Sequence, residues 1–479
     1  MTGTGTQHTD PSVYPIMICL TLGAFMSTLD TSIVSVSLPS ITNDLQVSPD
    51  LTAWILVVYL LFSSSFLMTM GSLGDTLGHR RMFFAGFVIF TLSSFLSGLV
   101  HNIWPLLVLQ ALQGLGGGIV LALGPALIST VLPENVRGRA FGLIGASVSV
   151  ALIAGPILGG FLAEQFSWHA IFFVNVPIGI AAIMLVHRYI PGHPPVKAGG
   201  FDFPAALLLV PALAGLLYSL SAWGKGGQEL PYLPFILGGA LVFVMLFIWH
   251  EARTREPMVP LRLFGSLPFT ASVLASSLIM ATYGGLLVVF PYFFELIWKF
   301  SPEQAGDMVV AASAGLMIAS ILAGRSVDRS GATKTIIIAT CLAIGGSLIF
   351  LIFGMNTFVL PAILGLFLFG AGTGAFYPPN ISLVMKCARP GDEGAMSGII
   401  TTMRVLGQAV GVTLYGTVFG IFVITQSAGR EFLGSNPPSP AVLFPGFTAV
   451  FVLTVVLLAA TLVLVIVAKE PAAGPFGAG

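Results

Sequence analysis

Fourteen apolar runs, each close to the length that crosses a lipid bilayer, dominate this chain. A helix spanning the hydrocarbon core needs ~20 mostly apolar residues. Such runs fall near 15–37, 52–72, 82–100, 104–132, 140–163 and 168–189, then near 203–223 and 232–250. Six more follow near 268–294, 304–324, 335–354, 357–385, 396–424 and 444–468. Apolar residues make up 56% of 479 and charged residues 8%, against about 45–50% and 25% in ordinary soluble domains. Most of the chain therefore needs lipid as its solvent, and the expected fold class is an all-α membrane protein.

The cations give the runs a direction. With the N-terminus inside, Lys225, Lys299 and Arg430 lie outside and Arg404 falls within a run, which leaves fifteen of the 19 Lys and Arg in inner segments. The positive-inside rule then predicts cytoplasmic N- and C-termini. Omitting one helix would scramble the alternation, which supports the number fourteen. Short loops suit a multi-pass protein of a prokaryotic cell membrane.

A repeat divides the chain. GSLGDTLG (71–78) and GRSVDRSG (324–331) are 253 residues apart, and Gly114, Gly116 and Gly118 reappear as Gly370, Gly372 and Gly374 at an offset of 256. The reading is a duplication. A six-helix bundle over 1–190 and a second over 267–479 are joined by 191–266, which carries two extra helices. In the first copy, Gly71 and Gly78 are expected to allow a tight turn. Asp75 would accept hydrogen bonds from a neighbouring helix N-terminus, while Arg80 and Arg81 face lipid headgroups. Asp328 and Arg329 repeat the arrangement. Such a clasp would favour one of two bundle arrangements; the plainer alternative is a basic anchor with an incidental Asp.

Asp30 lies about fourteen residues into the first run, ~20 Å along a helix. An ionised carboxylate is expensive at that depth, and intramembrane acids by default line cavities or relay protons. Its structural alternative is a hydrogen bond to Thr31, Ser32 or a neighbouring helix. Pro156 removes a backbone donor and kinks its helix, and Gly155, Gly159 and Gly160 remove bulk beside it, which predicts a close, dry seam. Arg404 needs a carboxylate, carbonyl or water partner, as a structural hub or as an attractor of anionic cargo. Glu295 and Asp307, near outer helix ends, belong to a solvated loop or to an acidic vestibule for cations. No His, Cys or acid spacing suits a metal, and no phosphate-cradling loop with Lys appears. Neither an enzyme, nor a metal, nor nucleic acid binding is expected.

Several segments carry a family resemblance: LDTSIVSVSLPSI (29–41), GSLGDTLGHRR (71–81), ALIAGPILGG (151–160), WHAIFFVNVPIG (168–179) and SGIITTMRVLGQAVG (397–411). Together they resemble the fourteen-helix drug:proton antiporters of the major facilitator superfamily over nearly the whole chain. The resemblance implies the major facilitator fold and multidrug efflux by alternating access, driven by a proton gradient without a cofactor. It implies a monomer in contact with membrane lipids, with Asp30 as the coupling carboxyl and Gly155, Pro156, Gly159 and Gly160 as the antiporter seam. Helices 1, 4, 9 and 12 would line the cavity, which brings in Tyr283, Tyr292, Phe376 and Tyr377 as aromatic walls for lipophilic cations, unless they face lipid. One departure stands out: Gln110 occupies the position of the family's usual arginine. Gln110 and Gln113 are expected to hydrogen-bond cargo or Asp30. Two rival functions remain open. One is export of a metabolite, lipid or anionic compound; the other is a non-transporting membrane receptor.

Overall fold

The computed structural model describes residues 13–192, 202–223, 230–254, 257, 259–353, 358–387, 393–426 and 439–467. Of the cations that orient the chain, Lys197, Lys225, Arg255, Arg389, Arg430 and Lys469 lie outside these residues. Apart from links, the described residues are helical. The first half comprises α1 (Val13–Leu45), α2 (Pro49–Leu77), α3 (His79–Ser97), α4 (Ile103–Val131), α5 (Glu134–Gln165) and α6 (His169–Tyr189). The insert is α7 (Phe203–Trp223) and α8 (Leu233–Arg253). The second half holds α9 (Leu267–Leu296), α10 (Pro302–Ser330), α11 (Ala332–Phe353), α12 (Val359–Met385), α13 (Glu393–Gln426) and α14 (Pro440–Val467). Thirteen are long and apolar enough to cross a membrane. The fourteenth, α3, opens on His-Arg-Arg.

Local chemistry sets several ends. Ser48 caps α2, accepting from Leu51 N, with Pro49 in the first turn, where its missing N–H costs nothing. Ser301 and Gln304 form a capping box on α10. The two Gly-Asp-Gly motifs are not turns through their length, as expected above. Residues 71–77 complete α2 and 324–330 complete α10, and only the final glycine breaks the helix, with φ 96° at Gly78 and 82° at Gly331. Those left-handed angles favour glycine. Gly71 is an ordinary helical residue, and an added Cβ there would meet nothing within 4 Å.

The duplicated glycines explain why the halves pack alike. On α4, a side chain at Gly114 or Gly118 would strike the α2 backbone at Tyr59 and Ser63, and one at Gly116 would strike α3 at Phe90 and Gly86. On α12, Gly370 and Gly374 meet α10 at Ala312 and Leu316, while Gly372 meets α11 at Ala339 and Ala343. Alternate small residues therefore let one helix press into two neighbours, as close packing in lipid requires. The same three-glycine device builds both bundles.

The insert touches both halves. Helix α7 packs on both α2 and α13, with Trp54 Nε1 donating to Ser221 Oγ at 3.4 Å and Thr417 Oγ1 donating to Leu220 O at 3.1 Å. It spans the seam between the halves, while α8 packs on α7.

Candidate functional site

Asp30 is 1% exposed and sits at the centre of a neutral polar network. Gln113 Nε2 on α4 and Asn175 Nδ2 on α6 each donate to Asp30 Oδ1 at 2.7 Å. Behind them, Gln110 Nε2 donates to Gln113 Oε1 at 2.9 Å, and Asn175 Nδ2 also donates to Ser94 Oγ on α3 at 3.1 Å. Asn175 Oδ1 is buried without a partner. Among the described residues no cation lies within salt-bridge distance of Asp30, so Oδ1 is met by two neutral amides. These partners all belong to the first half.

The local backbone makes this possible. Pro177 has no N–H for the carbonyl of Phe173, and α6 is interrupted at Val174, immediately before Asn175. Ser94 Oγ donates to the neighbouring carbonyl of Phe172 at 2.9 Å. Asn175 was missed as a site residue in the sequence, although an Asn within an apolar run was the available signal.

The halves meet at one end and part at the other. Arg80, Arg81, Arg137, Arg139, Arg188, Arg262, Lys334 and Lys386 mark one end of the bundle, hereafter the basic end. At the opposite, far end, an added Cβ at Gly160 would lie 2.5 Å from Pro302 O, and one at Gly306 would strike Pro156 O. Glu303 N also donates to Glu164 Oε2 at 3.0 Å across the halves. Toward the basic end of α5, Gly138, Gly142 and Gly145 have nothing within 4 Å of an added Cβ, nor does Gly324 on α10. None of residues 141–150 is buried, whereas Ala151, Gly155, Pro156, Gly159 and Gly160 are. Helices α5 and α10 thus form a V closed at the far end.

The expected seam residues divide between two contacts. Gly155 and Gly159 admit α1 at Ser32 and Ile33, while Gly160 and Pro156 meet α10. Among the expected cavity residues, Tyr283 is 5% exposed with its hydroxyl unpartnered. Phe376 is fully buried, and half-buried Arg404 lies over the Tyr377 ring, 5.4 Å from its centroid. Tyr292 instead reaches the first half at the far end, where its hydroxyl lies 2.6 Å from Thr42 Oγ1. Glu295 is half-buried with Oε1 lacking a partner, and Asp307 is exposed. Arg80 does not simply face outward: its Nη2 donates to His187 O at 2.7 Å, satisfying a carbonyl in the last turn of α6. Arg81 is exposed. The side chains of Asp75, Asp328 and Arg329 lie outside the described residues.

Comparison with known proteins fits this architecture. The family profile of the Major Facilitator Superfamily matches residues 20–412 and, in a second match, 272–478. The multidrug resistance protein Stp of Mycobacterium tuberculosis is 31% identical over 408 residues, covering 85% of this chain and 76% of that one. The riboflavin transporter RibZ of Clostridioides difficile is 29% identical over 408 residues, covering 84% and 88%. In fold, the chain is similar to a bacterial homolog of the human lysosomal transporter Spinster in an inward-facing, occupied conformation. That likeness has a TM-score of 0.65 at 16% identity, over 96% of this chain and 97% of that one.

Proposed function

The chain belongs to the Major Facilitator Superfamily, a family of transporters rather than enzymes, and we propose that it exports lipophilic, cationic drug-like compounds in exchange for protons. The halves bounded at 1–190 and 267–479 rock about a central path, with 191–266 riding on the seam. The basic end is cytoplasmic by the positive-inside rule, so the V formed by α5 and α10 is open to the cytoplasm and closed outside. In this state cargo would enter from the cell.

One observation carries the coupling assignment. Asp30 is a buried carboxyl in a membrane-spanning helix, met by two amide donors and, among the described residues, by no cation. An unpaired charge in such surroundings is costly. Exchanging a proton as the halves move removes that cost in one state and restores the charge in the other. Gln110 and Gln113 take up the polar duty that an arginine would perform. The relative named for multidrug resistance supports efflux.

The test is dye transport into proteoliposomes under an imposed pH gradient. Asp30→Asn, with expression and insertion intact, should abolish gradient-driven accumulation. Unchanged transport would remove Asp30 from the mechanism. A second reading, movement of an anionic or aromatic metabolite, draws on the half-buried Arg404 over Tyr377 and on the relative named as a riboflavin transporter. Binding of a mixed panel of cationic and anionic compounds, followed by thermal stabilisation, separates the two.

A further inference from the structure

We propose that Tyr292, Thr42 and Thr52 form a directional hydroxyl latch that holds the outer end closed and sets the balance between the two conformations. Tyr292 is on α9 of the second half; Thr42 is on α1 and Thr52 on α2 of the first. All three are buried, with exposures of 7%, 8% and 0%. Tyr292 Oη lies 2.6 Å from Thr42 Oγ1, Thr42 Oγ1 donates to Thr52 Oγ1 at 2.8 Å, and Thr52 Oγ1 donates to Ser48 O at 3.1 Å.

A hydroxyl has one proton to give. Thr42 spends its proton on Thr52, and Thr52 spends its own on the Ser48 carbonyl. Tyr292 must therefore donate to Thr42, and the chain runs one way from the second half into the cap of α2. Removing the Tyr292 hydroxyl leaves Thr42 without its donor. This hydrogen bond joins a side chain of α1–α6 to a side chain of α9–α14. It stands beside the close approaches of Gly160 to Pro302 and of Gly306 to Pro156. Opening the outer end moves α9 away from α1 and must break it. Water then replaces the lost partner, so the latch biases the equilibrium by the net worth of one hydrogen bond rather than locking it.

The inference rests on the alternating-access reading above, but its test needs neither cargo nor gradient. Spin labels at Asn43→Cys and Asp307→Cys, both exposed outer positions on opposite halves, are placed in a chain whose native cysteines have been replaced. Their distance distribution is then recorded. Tyr292→Phe should raise the ratio of long-distance to short-distance populations about fivefold, the change expected for one neutral hydrogen bond. Thr42→Val should do the same, and the double variant should add little to either. Tyr415→Phe is the control, because Tyr415 Oη bonds Thr454 Oγ1 at 2.8 Å within the second half; it should leave the distances unchanged. Unaltered distances in Tyr292→Phe, or equal shifts in the control, overturn the latch. Loss of dye transport in these variants is not required, so failure of the drug or proton assignment would leave the distance result standing.

Discussion

Asn175 on α6 donates through one nitrogen to both Asp30 Oδ1 at 2.7 Å and Ser94 Oγ at 3.1 Å, tying α1 to α3 through a third helix. Asp30, Asn175 and Ser94 are all buried, so both bonds lie away from bulk solvent. Replacing Asn175 with Leu keeps the branched outline, adds some bulk, and removes the nitrogen that makes both bonds. A hydrogen bond to a charged group is worth about 1.5–3 kcal/mol, so detergent-solubilised protein should lose stability on that scale in chemical unfolding. Asn175→Asp should cost more, since it sets a second carboxyl against the first in a buried site. An unfolding midpoint unchanged by either variant would mean that Asp30 does not depend on Asn175.

The two glutamines act in series. Gln113 touches Asp30, and Gln110 touches only Gln113 within this chain of contacts. Gln110→Leu should therefore slow proton-driven transport less than Gln113→Leu, and should have almost no further effect once Gln113 is Leu. Transport rates for the four combinations form a double-mutant cycle. Additive effects would show that Gln110 works elsewhere.

Glycine positions along the V should respond oppositely to added bulk. A side chain at Gly306 runs into the backbone of Pro156, while one at Gly142 meets open space. Gly306→Val should shift outer-end labels toward long distances, or destabilise the protein by roughly the 1–3 kcal/mol typical of overpacking. Gly142→Val should leave this arrangement intact and hinder closure of the basic end, slowing transport. Equal tolerance at both positions would be inconsistent with a V closed at Gly306.

Much of this was legible in the residues. The apolar runs exposed the fourteen helices, and the two glycine repeats marked the matching contacts of α4 and α12, because both follow from chemistry local to each segment. Asp30 and Gln113 stood out as polar groups where lipid-facing helices do not hold them. Asn175 was harder to find: its role depends on a break in α6 made by Pro177 and on three other helices converging there. Gly71 was misread because the helix continues through a motif whose composition suggests a turn. Tyr292 was read as a cavity wall, and its contact with Thr42 joins helices 250 residues apart in the sequence. Which end is closed depends on contacts between distant helices, so no stretch of sequence announces it.

Arg404 offers the sharpest test of cargo. Its guanidinium lies over Tyr377 and is half-buried, so it has charge to offer while being held by a ring contact worth about 0.5–2 kcal/mol. If cationic compounds are the cargo, this charge repels them, and Arg404→Gln should leave their export within about twofold or improve it. Binding of anionic aromatic compounds, by contrast, should weaken about tenfold, because the planar donor fork that pairs with a carboxylate is gone. Arg404→Lys should rescue the anion only partly, since an ammonium keeps the charge without the fork. Tyr377→Leu separates cargo binding from structural support: it removes the ring without touching the charge, and should alter stability more than selectivity. A parallel fall for cations and anions in Arg404→Gln, tracking lost stability, would assign the arginine to holding α12 and α13 together and would leave the choice of cargo to the rest of the cavity.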